Sequence, residues 1–319
     1  MFGAVLVGPR KYEFQDNLPT PVLQDGELLV RLQVMTVCGS DHPFFTGGKG
    51  HDRFPYRPGF PGHETMGVVV ESRANGFRAG DAVLAIPNGN EGFVEMFVAK
   101  ANRAALLPKW HEHLVMAQPL GCVLKAARRL APVARKVVVI VGQGGMGLLW
   151  TQLLHLQGAR RIIVADLNAH RLAVARQVHA TDTINVSSED TLAKVRELTG
   201  GDMADVVIES VGSSATQRLC IDLAKPGGEV HFFGVPHYDA EFTFPFTTFF
   251  RKELTLTSST STEATRDFPP AFELILNGKV NTAAMLTHRL PFAALNEAMA
   301  LAADAARTEA VRILLTVEN

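Results

Sequence analysis

Cysteine is scarce in this 319-residue chain: three residues, at 38, 122 and 220, too few and too scattered for a disulfide framework. Charge imbalance is missing as well. There are 31 basic and 32 acidic residues, a formal net charge of −1, and no long run of like charge, which argues against a nucleic-acid or anionic-membrane surface. No apolar run approaches the roughly 18 residues of a membrane span. No amino-terminal segment joins basic, long apolar and small-residue regions as a secretory leader does. Internal repeats and low-complexity tracts are absent too. These absences predict a soluble protein in a reducing, cytoplasmic setting, with neither nucleic acid nor membrane as its partner.

What is present is a chain that is 47% hydrophobic and 20% charged, enough to bury a substantial core and long enough for two domains. Its organising stretch runs from Val137 to Asp166. Five β-branched residues, Val137 to Val141, read as a buried strand that breaks at Gly142-Gln143-Gly144-Gly145-Met146-Gly147 and resumes as a helical segment, Leu148 to Leu156. A second apolar strand, Ile162 to Val164, finishes at Asp166, 19 positions after the last glycine. That context turns a common glycine pattern into a dinucleotide-binding fingerprint. Gly142 allows the tight turn, Gly144 lets a pyrophosphate approach the backbone, and Gly147 permits close helix–strand packing. The first helical amides, those of Gly145 and Met146 included, face the phosphates. Asp166 is expected to accept hydrogen bonds from the adenosine ribose and to repel a 2′-phosphate, favouring NAD over NADP, although the nearby Arg171 is suited to hold such a phosphate.

Before this stretch the chain is β-rich. Short apolar runs (residues 3–7, 28–32, 67–70, 82–86 and 93–98) are punctuated by Gly, Pro, Asn and Asp, as in a compact, partly open barrel. From about Ala117 helical and strand patterns alternate. Helices are predicted at 169–178, 188–198 (capped by Ser187 or Ser188) and 216–224, with strands at 183–186, 205–209, 230–233 and 254–257. Such alternation with continuous apolar strands means a doubly wound parallel sheet. The tail, 272–276 and 292–302, returns to a helical pattern and is expected to pack on the first domain.

Candidate chemistry lies in two short stretches of the first half, Val37-Cys38-Gly39-Ser40-Asp41-His42 and Pro61-Gly62-His63-Glu64, with His63 placed 25 residues after Cys38. A thiol, an imidazole and a carboxylate offered from turns suit Zn²⁺, whose catalytic sites need three protein ligands and one open position. The open position takes an alcohol or carbonyl oxygen. Ser40 is placed to pass the alcohol proton outward, and His42 or a ribose hydroxyl to continue the relay. Phe44, Phe45 and Phe54 fall between the two stretches and are candidates for the substrate pocket, with His51, Asp52 and Arg57 as its polar side.

The order of these features resembles the medium-chain dehydrogenase/reductase superfamily, and its zinc-containing alcohol and polyol branch most of all, the sorbitol and threonine dehydrogenases especially. The likeness extends to Glu209-Ser210-Val211-Gly212, Lys225-Pro226-Gly227-Gly228, Arg251-Lys252-Glu253 and Leu286-Thr287-His288. It implies an α/β protein with a GroES-like catalytic domain over residues 1–118, a Rossmann NAD-binding domain over 119–262, and a segment, 263–319, returning to the first, the two domains enclosing a cleft. By the same resemblance Cys38 and His63 are metal ligands, Glu64 a ligand or a close neighbouring carboxylate, Val211 a neighbour of the nicotinamide, and Arg312 a phosphate contact. Relatives pair through the edge of the Rossmann sheet, which implies a homodimer or homotetramer with residues 254–258 as that edge.

The sequence departs from the family in three places. Gln118 stands where relatives carry Glu or Cys, 24 residues ahead of Gly142, so the fourth metal position is a neutral amide, with water or Cys122 as the alternative. His42 directly follows Asp41, whereas the family places its His one residue later. No cysteine lies between 38 and 122, so one catalytic Zn²⁺ is expected and no structural Zn²⁺ of the four-cysteine kind. The activity expected is hydride transfer between NAD(H) and a secondary alcohol or polyol, or its ketone. The alternatives are a zinc-free NAD(P)H carbonyl reductase of the same fold and a cofactor-binding protein without catalysis.

Overall fold

A computed structural model describes residues 1–236 and 241–317. They form two compact units, one of Met1–Gly121, Thr262–Gly278 and the chain from Leu286 onward, the other of Cys122–Ser261 with Lys279–Met285. The 279–285 stretch belongs to the second unit for a local reason. The buried Gln152 accepts a hydrogen bond from Asn281 N at 2.6 Å, and its Nε2 lies 3.3 Å from Met285 Sδ.

In the first unit a hairpin of β1 (Gly3–Gly8) and β2 (Lys11–Gln15) precedes the long β3 (Glu27–Thr36). β3 pairs antiparallel with both β4 (Glu64–Ser72) and β6 (Met96–Lys100), while β5 (Ala82–Ala85) joins β4 to β7 (Ala104–Leu106). Apolar side chains on one face of each strand meet in a core that includes Leu28, Val30, Leu32, Phe93 and Phe97. The register sets Thr36 opposite Glu64. Residues just after β3 and just before β4 are thereby neighbours, which brings together two turns that lie 25 residues apart in sequence.

The second unit is a parallel six-stranded sheet built from β8 (Val137–Val141), β9 (Arg161–Asp166), β10 (Asp182–Asn185), β11 (Ala204–Glu209), β12 (Ala224–Phe232) and β13 (Thr255–Ser258), in the order β10-β9-β8-β11-β12-β13. Every side chain of β8 is buried, the burial expected of an all-apolar central strand covered on both faces. Two elements differ from the sequence reading. The helix predicted from 188 begins at Thr191, because Asp190 rather than a serine caps it, accepting from Ala193 N at 2.9 Å. β12 begins at Ala224 instead of 230: Ala224 pairs with Ala204, Pro226-Gly227-Gly228 forms an irregularity with Gly227 at φ +70°, and pairing resumes at Glu229 opposite Val206.

The tail returns to the first unit with helices Ala264–Leu276 and Leu295–Ala303. It also adds strands β14 (Leu286–Pro291) and β15 (Arg312–Thr316), which the helical pattern did not reveal. β15 lies antiparallel to β3, with Leu314 opposite Thr36. No helix among the described residues is long and apolar enough to cross a membrane.

Candidate active site

Cys38 sits two residues beyond the end of β3, where a short turn, Gly39–Asp41, follows it. Cys38 N donates to Asp41 Oδ2 at 3.1 Å, and Ser40 Oγ donates to Cys38 Sγ at 3.3 Å. The turn therefore presents the sulfur with a hydroxyl already against it. His63 precedes β4, and its Nδ1 faces Pro61 O at 3.0 Å and Asp41 Oδ1 at 3.3 Å. With Nδ1 turned to a carbonyl beside a carboxylate, Nε2 is the ring nitrogen that would serve as a metal ligand once it has given up its proton. Burial alone would lower the pKa of this imidazole, but the charges of Asp41 and Cys38 outweigh it and hold the pKa well above the usual value.

Glu64 opens β4 and is fully buried. Arg312 Nη1 donates to both of its oxygens, at 2.8 and 2.7 Å, and Thr36 Oγ1 donates to Oε2. The same guanidinium nitrogen reaches Val37 O at 3.2 Å. Burial would raise the Glu64 carboxyl, yet the neighbouring Arg312 and His63 pull its pKa below the ordinary carboxylate value. Arg312 is in turn raised: burial opposes its charge, and Glu64 and then Cys38 more than compensate. Arg312, expected at a phosphate, is thus found 4% exposed and paired with Glu64.

Ligand atoms of Cys38, His63 and Glu64 lie within 4.8 Å of one another, and Cys122 is not part of this group. A thiol and an imidazole at this separation fit a zinc-type cation. Glu64, although close, already answers a buried cation of the protein. Gln118 is buried near the start of the helix Ala117–Ala127, and His42 is half-buried at the first position of the helix His42–Thr46. Of the aromatic candidates, Phe45 is core, stacked on Tyr12 at 5.9 Å. Phe44 packs against His51 and Phe60, with ring centroids at 4.3 and 4.8 Å, and Phe54 against Tyr56 at 5.3 Å.

The second unit carries the glycine turn. β8 is followed by Gly142, whose φ of +96° suits glycine and whose missing Cβ would stand 2.6 Å from Val211 Cγ2. A Cβ on Gly147 would lie 1.9 Å from Gly142 O, so no other residue fits there. At Gly144 a Cβ would meet nothing nearer than Arg171 Nη1 at 3.9 Å. That opening lies at the N-cap of the helix Gly145–Leu156, where no side chain among the described residues caps the first amides. A helix start without a side-chain cap, beside a gap without side chains, fits the pyrophosphate of a dinucleotide.

Asp166, at the end of β9, is 9% exposed; its Oδ2 accepts from Gln143 N at 2.6 Å and its Oδ1 from Asn168 N at 2.8 Å. The carboxylate thereby ties β9 to the glycine turn. Gln143 turns inward, donating to Gly142 O at 3.1 Å and accepting from Thr151 Oγ1 at 3.0 Å. Val211 is half-exposed beside the turn. Sequence reasoning gave no role to Asp41, Gln143 or the Glu64–Arg312 pair. Asp41 lies within the quoted stretch and was legible as a neighbour of Cys38; the other two depend on strand register and rotamer, which no local pattern reports.

Two family descriptions match this chain, "Alcohol dehydrogenase GroES-like domain" over residues 24–109 and "Zinc-binding dehydrogenase" over 145–277. Sorbitol dehydrogenase of Bombyx mori is 26% identical over 100% of this chain and 99% of its own length. D-altritol 5-dehydrogenase of Agrobacterium fabrum is 28% identical over 86% and 88%. The chain belongs to the zinc-type medium-chain dehydrogenase/reductase family, in its polyol dehydrogenase branch. Family membership makes it an oxidoreductase of the alcohol and polyol dehydrogenase class. Its fold agrees with solved members of the family. The alcohol dehydrogenase from Thermus sp. ATN1 matches with a TM-score of 0.87 at 24% identity over 100% of both chains. Galactitol-1-phosphate dehydrogenase from Escherichia coli matches at 0.85 and 22%, over 99% of this chain and 100% of that one.

Proposed function

We propose that the chain is an NAD-dependent, zinc-dependent dehydrogenase that interconverts a secondary alcohol or polyol and its ketone. The observation that carries this reading is the convergence of Cys38 and His63, with His63 Nδ1 engaged by Pro61 O, in a chain that also has an open glycine turn. When bound, Zn²⁺ would act as a Lewis acid toward the substrate oxygen, and NAD would accept or return the hydride. The protein's own groups do the rest. Cys38 and His63 would hold the cation, and Asp41 orients the imidazole. Ser40 Oγ, 3.3 Å from the sulfur, takes the proton that leaves the alcohol and hands it outward, with His42 next along the chain. Glu64, charge-balanced by Arg312, would set the field behind the ligands instead of binding in their place, and Gln118 would offer a neutral donor to the cation. Gly142, Gly144 and Gly147 shape the cofactor turn, Gly145 and Met146 present their amides, Val211 borders the nicotinamide, and Asp166 favours NAD by repelling a 2′-phosphate.

The partner is a small-molecule alcohol or ketone in the cytoplasm, and subunits associate as a dimer or tetramer through β13, the edge strand of its sheet. A second reading, a zinc-free carbonyl reductase, draws support from Gln118 and from the commitment of Glu64 to Arg312. Metal analysis of the purified protein with a Cys38→Ala variant decides between the two. The zinc reading expects about one Zn²⁺ per chain in the wild type, little in the variant, and a turnover loss of at least ~10³-fold on a polyol and alcohol panel. Full activity of Cys38→Ala would establish the metal-free enzyme. NADH binding without turnover on any substrate would mean a cofactor-binding protein.

A further inference from the structure

One buried carboxylate of the second unit has no part in the chemistry above. Glu209 ends β11 and is wholly buried. Its Oε1 accepts three hydrogen bonds, from Val211 N at 2.9 Å, Gly212 N at 2.8 Å and Thr216 Oγ1 at 2.7 Å. Oε2 is buried with no hydrogen-bond partner among the described residues. The carboxylate's influence reaches Cys220, whose thiol is pushed well up, first by burial and then by the charge of Glu209.

Its place in the sheet gives this meaning. β11 lies beside β8 on the side away from β9. In such a sheet a dinucleotide crosses the crevice between the first strand and its fourth-strand neighbour. Its pyrophosphate sits at the first helix and its adenosine half on the second-strand side, so the nicotinamide half falls toward β11. The turn pinned by Glu209 carries Val211, whose Cγ2 occupies the space beside Gly142, and Gly212, where φ is +90° and a Cβ would stand 2.4 Å from Val235 O. A glutamine oxygen would hold the same three donors. What glutamine would lack is charge, and a buried charge without a counterion is costly to maintain unless something compensates it. The nicotinamide ring is a cation when oxidised and neutral when reduced.

We propose that Glu209 is a positioning residue that fixes the Val211–Gly212 turn against Gly142 and, by its buried negative charge, biases the site toward the oxidised nicotinamide ring. The inference rests on the dinucleotide reading above. It is tested on the full-length protein by measuring Kd for NAD⁺ by calorimetry and for NADH by fluorescence, in wild type, Glu209→Gln and Thr216→Val. The phosphorylated pair replaces these if that is the pair the wild type binds. Glu209→Gln should weaken the oxidised cofactor at least about fivefold more than the reduced one. Thr216→Val removes one donor from Oε1, leaves the charge less compensated, and should shift the ratio the other way, toward the oxidised form. Equal weakening of both forms in Glu209→Gln would reduce the residue to a turn support and overturn the proposal. If Glu209→Gln does not fold, Thr216→Val decides alone, and a ratio unmoved or shifted toward the reduced form overturns it. A wild type that binds neither NADH nor NADPH removes the dinucleotide reading and this inference together, whereas binding with an unmoved ratio removes only the inference.

Discussion

Asp166 holds a structural place and, on the reading proposed above, a cofactor-facing one as well. Both carboxylate oxygens already accept backbone hydrogen bonds, from Gln143 and Asn168. Arg171 Nη1 stands close to the open position at Gly144. On the proposed NAD reading, Asp166→Ser would remove the charge that repels a 2′-phosphate and leave Arg171 to attract one. The ratio of kcat/KM with NADP to that with NAD should rise about 10- to 100-fold, and cofactor KM should rise for both because the glycine turn loses its tie to β9. An unchanged ratio would mean that the ribose is held by other groups. His231 supplies a residue-scale prediction about stability. It is fully buried, with Nδ1 2.8 Å from Thr257 Oγ1 and Nε2 3.1 Å from Ser259 Oγ. Burial, then the charge of Arg129, pushes its pKa from 6.5 down to about 4. The unfolded chain therefore binds this proton first as pH falls. The stabilisation is complete above the ordinary histidine value and drains away between there and the depressed one, about 3 kcal/mol in all. Urea midpoints at pH 7.5 and 4.5 should fall further for the wild type than for His231→Gln, and parallel loss in both proteins would contradict the assignment.

Among the elements, the strand–turn–helix beginning at β8 has the least tolerance. A Cβ on Gly147 would enter Gly142 O, so Gly147→Ala must pry the helix from the strand; a stability loss of about 1 to 3 kcal/mol and no NADH binding are expected. Gly144→Ala makes the contrast, since its Cβ meets no atom nearer than 3.9 Å. It should keep the wild-type denaturation midpoint yet weaken NADH binding, as measured by fluorescence titration; a midpoint drop as large as that of Gly147→Ala would refute the distinction. These same elements separate what the sequence makes legible from what it hides. β8 and β9 are readable because apolar β-branched runs bounded by glycine and aspartate leave little alternative. β12 is misread at its start because Pro226-Gly227-Gly228 normally ends a strand, and here it forms an irregularity between two paired segments. The Cys38 and His63 turns are readable as donors of metal-binding type. Their meeting depends on the antiparallel register of Thr36 with Glu64. Arg312 reaches Glu64 because β15 pairs with β3, a partnership spanning most of the chain that no local periodicity can encode.

At the scale of the whole chain, the two chemical capacities belong to different compact units. Cys38, Asp41, His63, Glu64 and Arg312 all lie in the first, the last of them contributed by the returning tail. The glycine turn, Asp166, Glu209 and Val211 all lie in the second. Each unit has its own apolar core, one around Leu28, Phe93 and Phe97 and the other around Val139, Ile163 and Val207. Groups supported by separate cores should respond separately to loss of their ligand. Prolonged treatment with a strong chelator is therefore expected to abolish turnover while leaving the Kd for NADH within about twofold of its starting value. Zn²⁺ added back should restore activity. In the converse experiment, Gly144→Ala should lose cofactor affinity and retain the full zinc content of the wild type. If chelation removed NADH binding together with turnover, the metal would be supporting the dinucleotide turn as well as the substrate oxygen, and the division of labour between the units would have to be abandoned.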